Sequence, residues 1–133
     1  MRLLGPVTRT DIVRYQGASG DFQPIHHDEP FALAAGFPAP IAVGMYTAGA
    51  LSAWATDWLG PQNVREVRFR FRAPVYPGDV ISLSGKVTRV FDHENGERRA
   101  DVDLTAAHAG GAVAVSGQAT FVVSTASTLG GAP

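Results

Sequence analysis

The stretch 41–59, IAVGMYTAGALSAWATDWL, is apolar on every side of the helix it would form. Ile41, Val43, Met45, Tyr46, Ala48, Leu51, Trp54, Ala55, Trp58 and Leu59 do not fall on one stripe but surround the axis, and a helix of that kind has to be covered all round. Its uncharged part, residues 40–56, is shorter than the roughly 20 apolar residues a membrane span needs. It also carries Thr47 and Ser52 and is followed by Asp57. The stretch therefore predicts a helix buried in protein, about 28 Å long at 1.5 Å per residue. Two short helices cannot hide that length, so a curved sheet must wrap it.

The second half of the chain offers such a sheet. In NVREVRFRFRAPVY, residues 63–76, Val67, Phe69, Phe71 and Ala73 alternate with Arg68, Arg70 and Arg72, the period of a strand with one covered face. DVISLSGKVTRV, residues 79–90, follows the turn Pro77-Gly78, with Val80 out of phase and a bulge expected there. Asn95-Gly96 is a hairpin signal. In the strand after it, Val102, Leu104 and Ala106 share one face, and Asp101, Asp103 and Thr105 the other. Gly110-Gly111 turns the chain into AVAVSGQATFVV. A helix-bearing first half followed by an antiparallel meander is α+β: about five or six strands around a long central helix. The arginines of the first of these strands read as an exposed face, neutralised by Asp101 and Asp103 if those strands are neighbours. Contact with coenzyme A phosphates is the competing reading.

The first half carries the polar chemistry. Residues 2–7 suit a short strand. Thr8 or Thr10 caps a helix over about 9–18, with Asp11 in its first turn, Ile12, Val13 and Tyr15 on its apolar face, and Gly17 and Gly20 at its end. The loop SGDFQPIHHDEPFA, residues 19–32, then gathers Asp21, His26, His27 and Asp28 among turn formers. Asp28 reads as the N-cap of a short helix with Pro30 in its first turn and Gly36 as its stop. Zinc on His26, His27 and Asp28 is disfavoured, because adjacent histidines rarely converge on one tetrahedral ion. His93 and His108 read as surface or sheet residues, and Trp54 and Trp58 as core or interface.

Composition narrows the rest. The 133 residues suit one domain, here 1–123, with a frayed tail over 124–133. Cysteine is absent, which rules out disulfides and thiolate chemistry and fits a cytoplasmic protein. The net charge of −1 gives no footprint for nucleic acid or an anionic membrane. MRLLGPVTRTD has no long apolar core, so no secretory signal is expected.

Asp21 and His26 are five positions apart with Pro24 between them, and a turn at Pro24 can bring both side chains to one point. A histidine exchanges protons near neutral pH, and a carboxylate beside it can orient or share one water. Gly44 lies near the start of the buried helix, where backbone N–H groups lack partners and the dipole is positive. A glycine there lets a ligand approach the main chain.

The segment YQGASGDFQPIHHDEPFALAAGF with the downstream PIAVGM resembles the hydratase motif of the MaoC-like dehydratases, the (R)-specific enoyl-thioester hydratases of the hot-dog fold. The likeness covers about residues 10–60, with a weaker echo in VRFRFRAPVYPGDVI. It implies hydration of trans-2-enoyl thioesters and dehydration of (3R)-hydroxyacyl thioesters, carried by coenzyme A or acyl carrier protein. It further implies no metal, no cofactor and no covalent intermediate. Asp21 and His26 would activate the water, the Gly44 amide would hold the thioester carbonyl, and Gln23 and Ser52 would be accessory pocket residues. Gln23 stands where the family usually has Asn, and Val43 where it usually has His. Family members pair protomers, so a homodimer is expected; the alternative is a heterodimer with a related hot-dog chain, in which this chain, keeping Asp21 and His26, is the catalytic subunit and is inactive alone. A hot-dog acyl thioesterase is the rival activity, and the His26 spacing argues against it.

Overall fold

The computed structural model describes residues 1–123; the expectation of a frayed tail from Ser124 lies outside the described residues. A short strand β1 (Arg2–Leu4) leads into α1 (Arg9–Ser19). A 3₁₀ turn (Pro24–His26) and α2 (Glu29–Ala34) then precede the long helix α3 (Gly44–Leu59). Four strands follow among the described residues: β2 (Val64–Phe71), β3 (Ile81–Asp92), β4 (Arg98–His108) and β5 (Val113–Val122). They form one antiparallel sheet with β1, in the order β1-β3-β4-β5-β2. This is the hot-dog arrangement, a sheet curled round a central helix.

The core lies between α3 and the sheet. Leu51, Trp54, Ala55 and Leu59 of α3 are buried against Leu83, Val102, Leu104, Ala106, Val115, Ala119 and Phe121. Within each strand those residues sit two or four apart, so period-2 alternation delivers them to one face. The β3–β4 hairpin turns at Asn95-Gly96, where Gly96 takes φ 86°.

Four expectations need correction. The sheet does not sheathe α3 completely: Met45, Gly49 and Ala53, four apart, remain outward, because one layer of sheet covers only one side of a cylinder. On α1, Val13 faces solvent, and Gly17 lies inside the helix, which stops at Gly20 in a left-handed cap (φ 74°). The bulge falls between Val87 and Arg89 rather than at Val80, which precedes β3. β2 pairs with β5, so β4 and its aspartates are one strand removed from Arg68, Arg70 and Arg72. Asp101 instead pairs with Arg89, and Arg68 with Glu66.

Candidate active site

The loop between α1 and α2 is built by short-range hydrogen bonds. Thr8 and Asp11 cap α1 reciprocally, and the hydroxyl and amide of Thr8 hold the Asp11 carboxyl below its usual range. After Gly20 the chain turns at Asp21, whose Oδ1 accepts the Gln23 N–H at 3.2 Å. Gln23 Oε1 accepts the Ile25 N–H at 3.0 Å and so caps the 3₁₀ turn. Asp28 Oδ1 accepts the Phe31 N–H, capping α2 with Pro30 in its first turn.

The side chain that locks the loop is Gln16, which is buried at 3% exposure. Its amide nitrogen donates to the Asp21 carbonyl at 3.0 Å and lies 3.1 Å from His27 Nδ1. Sequence reasoning missed it. The signal was there: Gln16 is four residues after Ile12, on the inward stripe of α1, and a polar group at an inward position needs partners.

A second clasp joins the loop to the mouth of α3. The Ile41 N–H donates to the Ile25 carbonyl at 3.2 Å, and His26 Nδ1 lies 2.8 Å from the Ile41 carbonyl. A carbonyl only accepts, so Nδ1 carries a proton, and the neutral tautomer that fits this contact leaves a bare lone pair on Nε2. That nitrogen is 3.8 Å from Asp21 Oδ2. The separation is too long for a direct hydrogen bond. Two acceptors facing across it need a shared donor, and one water with two O–H bonds suits the gap. The His26 side chain is 10% exposed and that of Asp21 44%, so the pair is reachable from one side.

Three residues beyond Ile41, α3 begins at Gly44 with Val43 as its N-cap and no side-chain cap. The Tyr46 N–H returns to the Val43 carbonyl, but the amides of Gly44 and Met45 have no acceptor among the described residues. No acidic residue occupies this first turn, leaving the positive end of the dipole open. Phe22 and Met45, neighbours in sequence of Asp21 and Gly44, are exposed apolar side chains. Burial and the charge of Asp11 push the Tyr46 phenol up, so it stays protonated at neutral pH.

The structure thus brings Asp21 and His26 face to face and ties them to the helix that Gly44 opens. It employs Gln23 in a cap. Ser52 lies on α3 two turns past Gly44, half-buried. His27 Nδ1 and Asp28 Oδ1 are engaged separately, by Gln16 and by the Phe31 N–H. Val43 is buried, so its side chain packs where a histidine was expected from the resemblance. Two open hollows, of ≈ 760 and ≈ 580 Å³, lie on the outer face of the sheet among Arg65, Arg68, Arg89, Asp101 and Asp103. They share no residue with the Asp21–His26 pair.

The MaoC-like domain model matches residues 3–111 of the chain. The chain belongs to the MaoC-like domain family. This MaoC-like domain is 38% identical over 85 residues to the 3-oxo-4,17-pregnadiene-20-carboxyl-CoA hydratase beta subunit of Mycobacterium tuberculosis, covering 62% of this chain and 65% of that one. The aligned stretch is thus just under two thirds of that relative. It is 31% identical over 119 residues to the (R)-specific enoyl-CoA hydratase of Rhodospirillum rubrum, covering 88% and 80% of the two chains. Among solved structures, it resembles a chain of the ChsH1-ChsH2 complex from Mycobacterium tuberculosis with a TM-score of 0.79, 27% identity and 92% coverage of both chains.

Proposed function

We propose that this MaoC-like domain hydrates trans-2-enoyl thioesters to (3R)-hydroxyacyl thioesters and catalyses the reverse dehydration, with Asp21 and His26 as the catalytic residues. The observation that carries the reading is the opposed pair: Nε2 of His26 and Oδ2 of Asp21 at 3.8 Å, with the histidine tautomer set by Ile41. The names of its relatives support the same reaction class.

In the hydration direction, a water held between the two acceptors loses a proton to one of them as its oxygen bonds to the β-carbon. The π electrons of the alkene move toward the thioester, whose oxygen gains charge and accepts the Gly44 N–H. The residue that took the proton from water then returns it to the α-carbon, which restores the free base, and the sum is one H and one OH added across the double bond. The free amide at a helix start is suited to the developing charge because it is already oriented before the charge appears. Gln23 and Ser52 shape the surroundings of this centre, Gln23 through the cap it gives to the loop.

The substrate carrier is coenzyme A or acyl carrier protein, and the domain works as a pair of hot-dog protomers. The edge position of β2, whose outer side pairs with no described strand, supports pairing there. Likeness to a beta subunit and to a two-protein complex favours a related chain as an alternative partner to a second copy. No described helix is long and apolar enough to cross a membrane; the cytoplasm is the proposed location. Incubation with crotonyl-CoA tests the activity. Loss of the enoyl-thioester absorbance with formation of the (3R)-hydroxy product is expected. Thiol release from saturated acyl-CoA with no hydration would instead make it a thioesterase.

A further inference from the structure

We infer that Phe71 sets how much bulk the site accepts at the carbon next to the thioester, an inference that rests on the hydratase reading above. Phe71 ends the edge strand β2, and the residue is 53% exposed. The ring is nonetheless docked. A Cβ added to Gly44 would stand 2.9 Å from its Cε1, 3.0 Å from Cδ1 and 3.3 Å from Cζ. The ring therefore rests against the Cα of Gly44, and any side chain at position 44 would collide with it. Glycine at this position makes room for an aromatic wall as well as for a ligand.

The same Gly44 offers the free N–H at the mouth of α3. A carbonyl oxygen bound to that N–H sits about 2.9 Å from the nitrogen, and the carbonyl carbon and α-carbon follow within two bonds. They come within reach of the exposed part of the Phe71 ring. A flat apolar wall accommodates a planar conjugated enoyl group and crowds a substituent that projects from its α-carbon. The wall belongs to β2, an element that contributes nothing to the Asp21–His26 pair, so the shape of the site can change while the acid/base geometry is kept. Arg70 and Arg72, on either side in sequence, line a hollow on the outer face of the sheet, and Phe71 does not.

The test compares wild type, Phe71→Leu and Phe71→Ala on crotonyl-CoA and on its 2-methyl analogue, reading kcat/KM from the loss of enoyl-thioester absorbance. A single methyl group in an apolar pocket changes discrimination about 10- to 200-fold. The ratio of 2-methyl to unbranched substrate should rise at least about tenfold in Phe71→Ala, with Phe71→Leu in between and retaining an apolar cover if alanine weakens the fold. An unchanged ratio, or equal changes for both substrates, overturns the role of Phe71 while leaving the hydratase reading intact. Wild type that hydrates neither substrate overturns the hydratase reading, and this inference falls with it.

Discussion

Nδ1 of His26 is held by the Ile41 carbonyl at 2.8 Å while Nε2 faces Asp21, so one imidazole both fastens the loop and offers a base. The two jobs can be separated. In His26→Asn the side-chain amide can still donate toward Ile41, but it has no group to take a proton. Turnover should fall at least about 100-fold, the lower end for lost acid/base catalysis, with a melting temperature close to wild type. A variant that unfolds would assign His26 mainly to the structure. The Asp21/His26 pair was legible because its spacing and the Gly-Met that follows resemble a known motif. The cap formed by Gln23 was not: an amide in a loop reads equally as a ligand contact until the Ile25 N–H is seen to lie 3.0 Å from its oxygen.

The α1 helix acts on the site through one side chain. Gln16 ties the carbonyl of Asp21 and the ring of His27 to the helix, and its removal takes away a part-buried hydrogen bond, at a cost of about 0.5–1.5 kcal/mol. Gln16→Leu should therefore lower stability by about that amount in urea unfolding, and lower kcat more than it raises KM, since the loop that carries Asp21 loses its anchor. An unaltered kcat would show that the loop holds its shape without Gln16. A second test lies at the start of the same helix: Thr8→Ala breaks the reciprocal cap and should cost about 1 kcal/mol by the same measurement. Helix positions were readable where period and caps agreed. α3 announced itself by hydrophobicity all round, yet its exact cover was not readable, because composition cannot tell which side faces the sheet. Met45, Gly49 and Ala53 turn outward although nothing polar marks them.

Across the molecule, strand existence followed from alternation, but strand order did not. Alternation fixes which face a residue takes and says nothing about which strand lies alongside, so the supposed Arg68–Asp101 neighbours turned out to flank β5. The charges settle into other pairs. Glu97, at the β3–β4 hairpin, accepts hydrogen bonds from Arg65 and Arg99, which pull its carboxyl down to about 2 from an ordinary 4.5. The unfolded chain then binds this proton at higher pH than the folded one. The contribution of the cluster is complete above the unfolded value and is lost as pH falls toward 2. Urea midpoints of wild type and Glu97→Gln should differ at neutral pH and converge in acid. A gap that persists at about pH 2 would mean that the pairing does not depend on the carboxylate charge.

The central claim is that Asp21 and His26 act on one and the same water. The most direct measurement is a double-mutant cycle on crotonyl-CoA hydration with Asp21→Asn, His26→Ala and the double variant. Residues that act as a unit are strongly non-additive. Each single change should cut kcat/KM at least about 100-fold, and the double variant should be scarcely slower than the slower single. Losses that multiply, or a single variant that keeps wild-type turnover, would contradict the shared water.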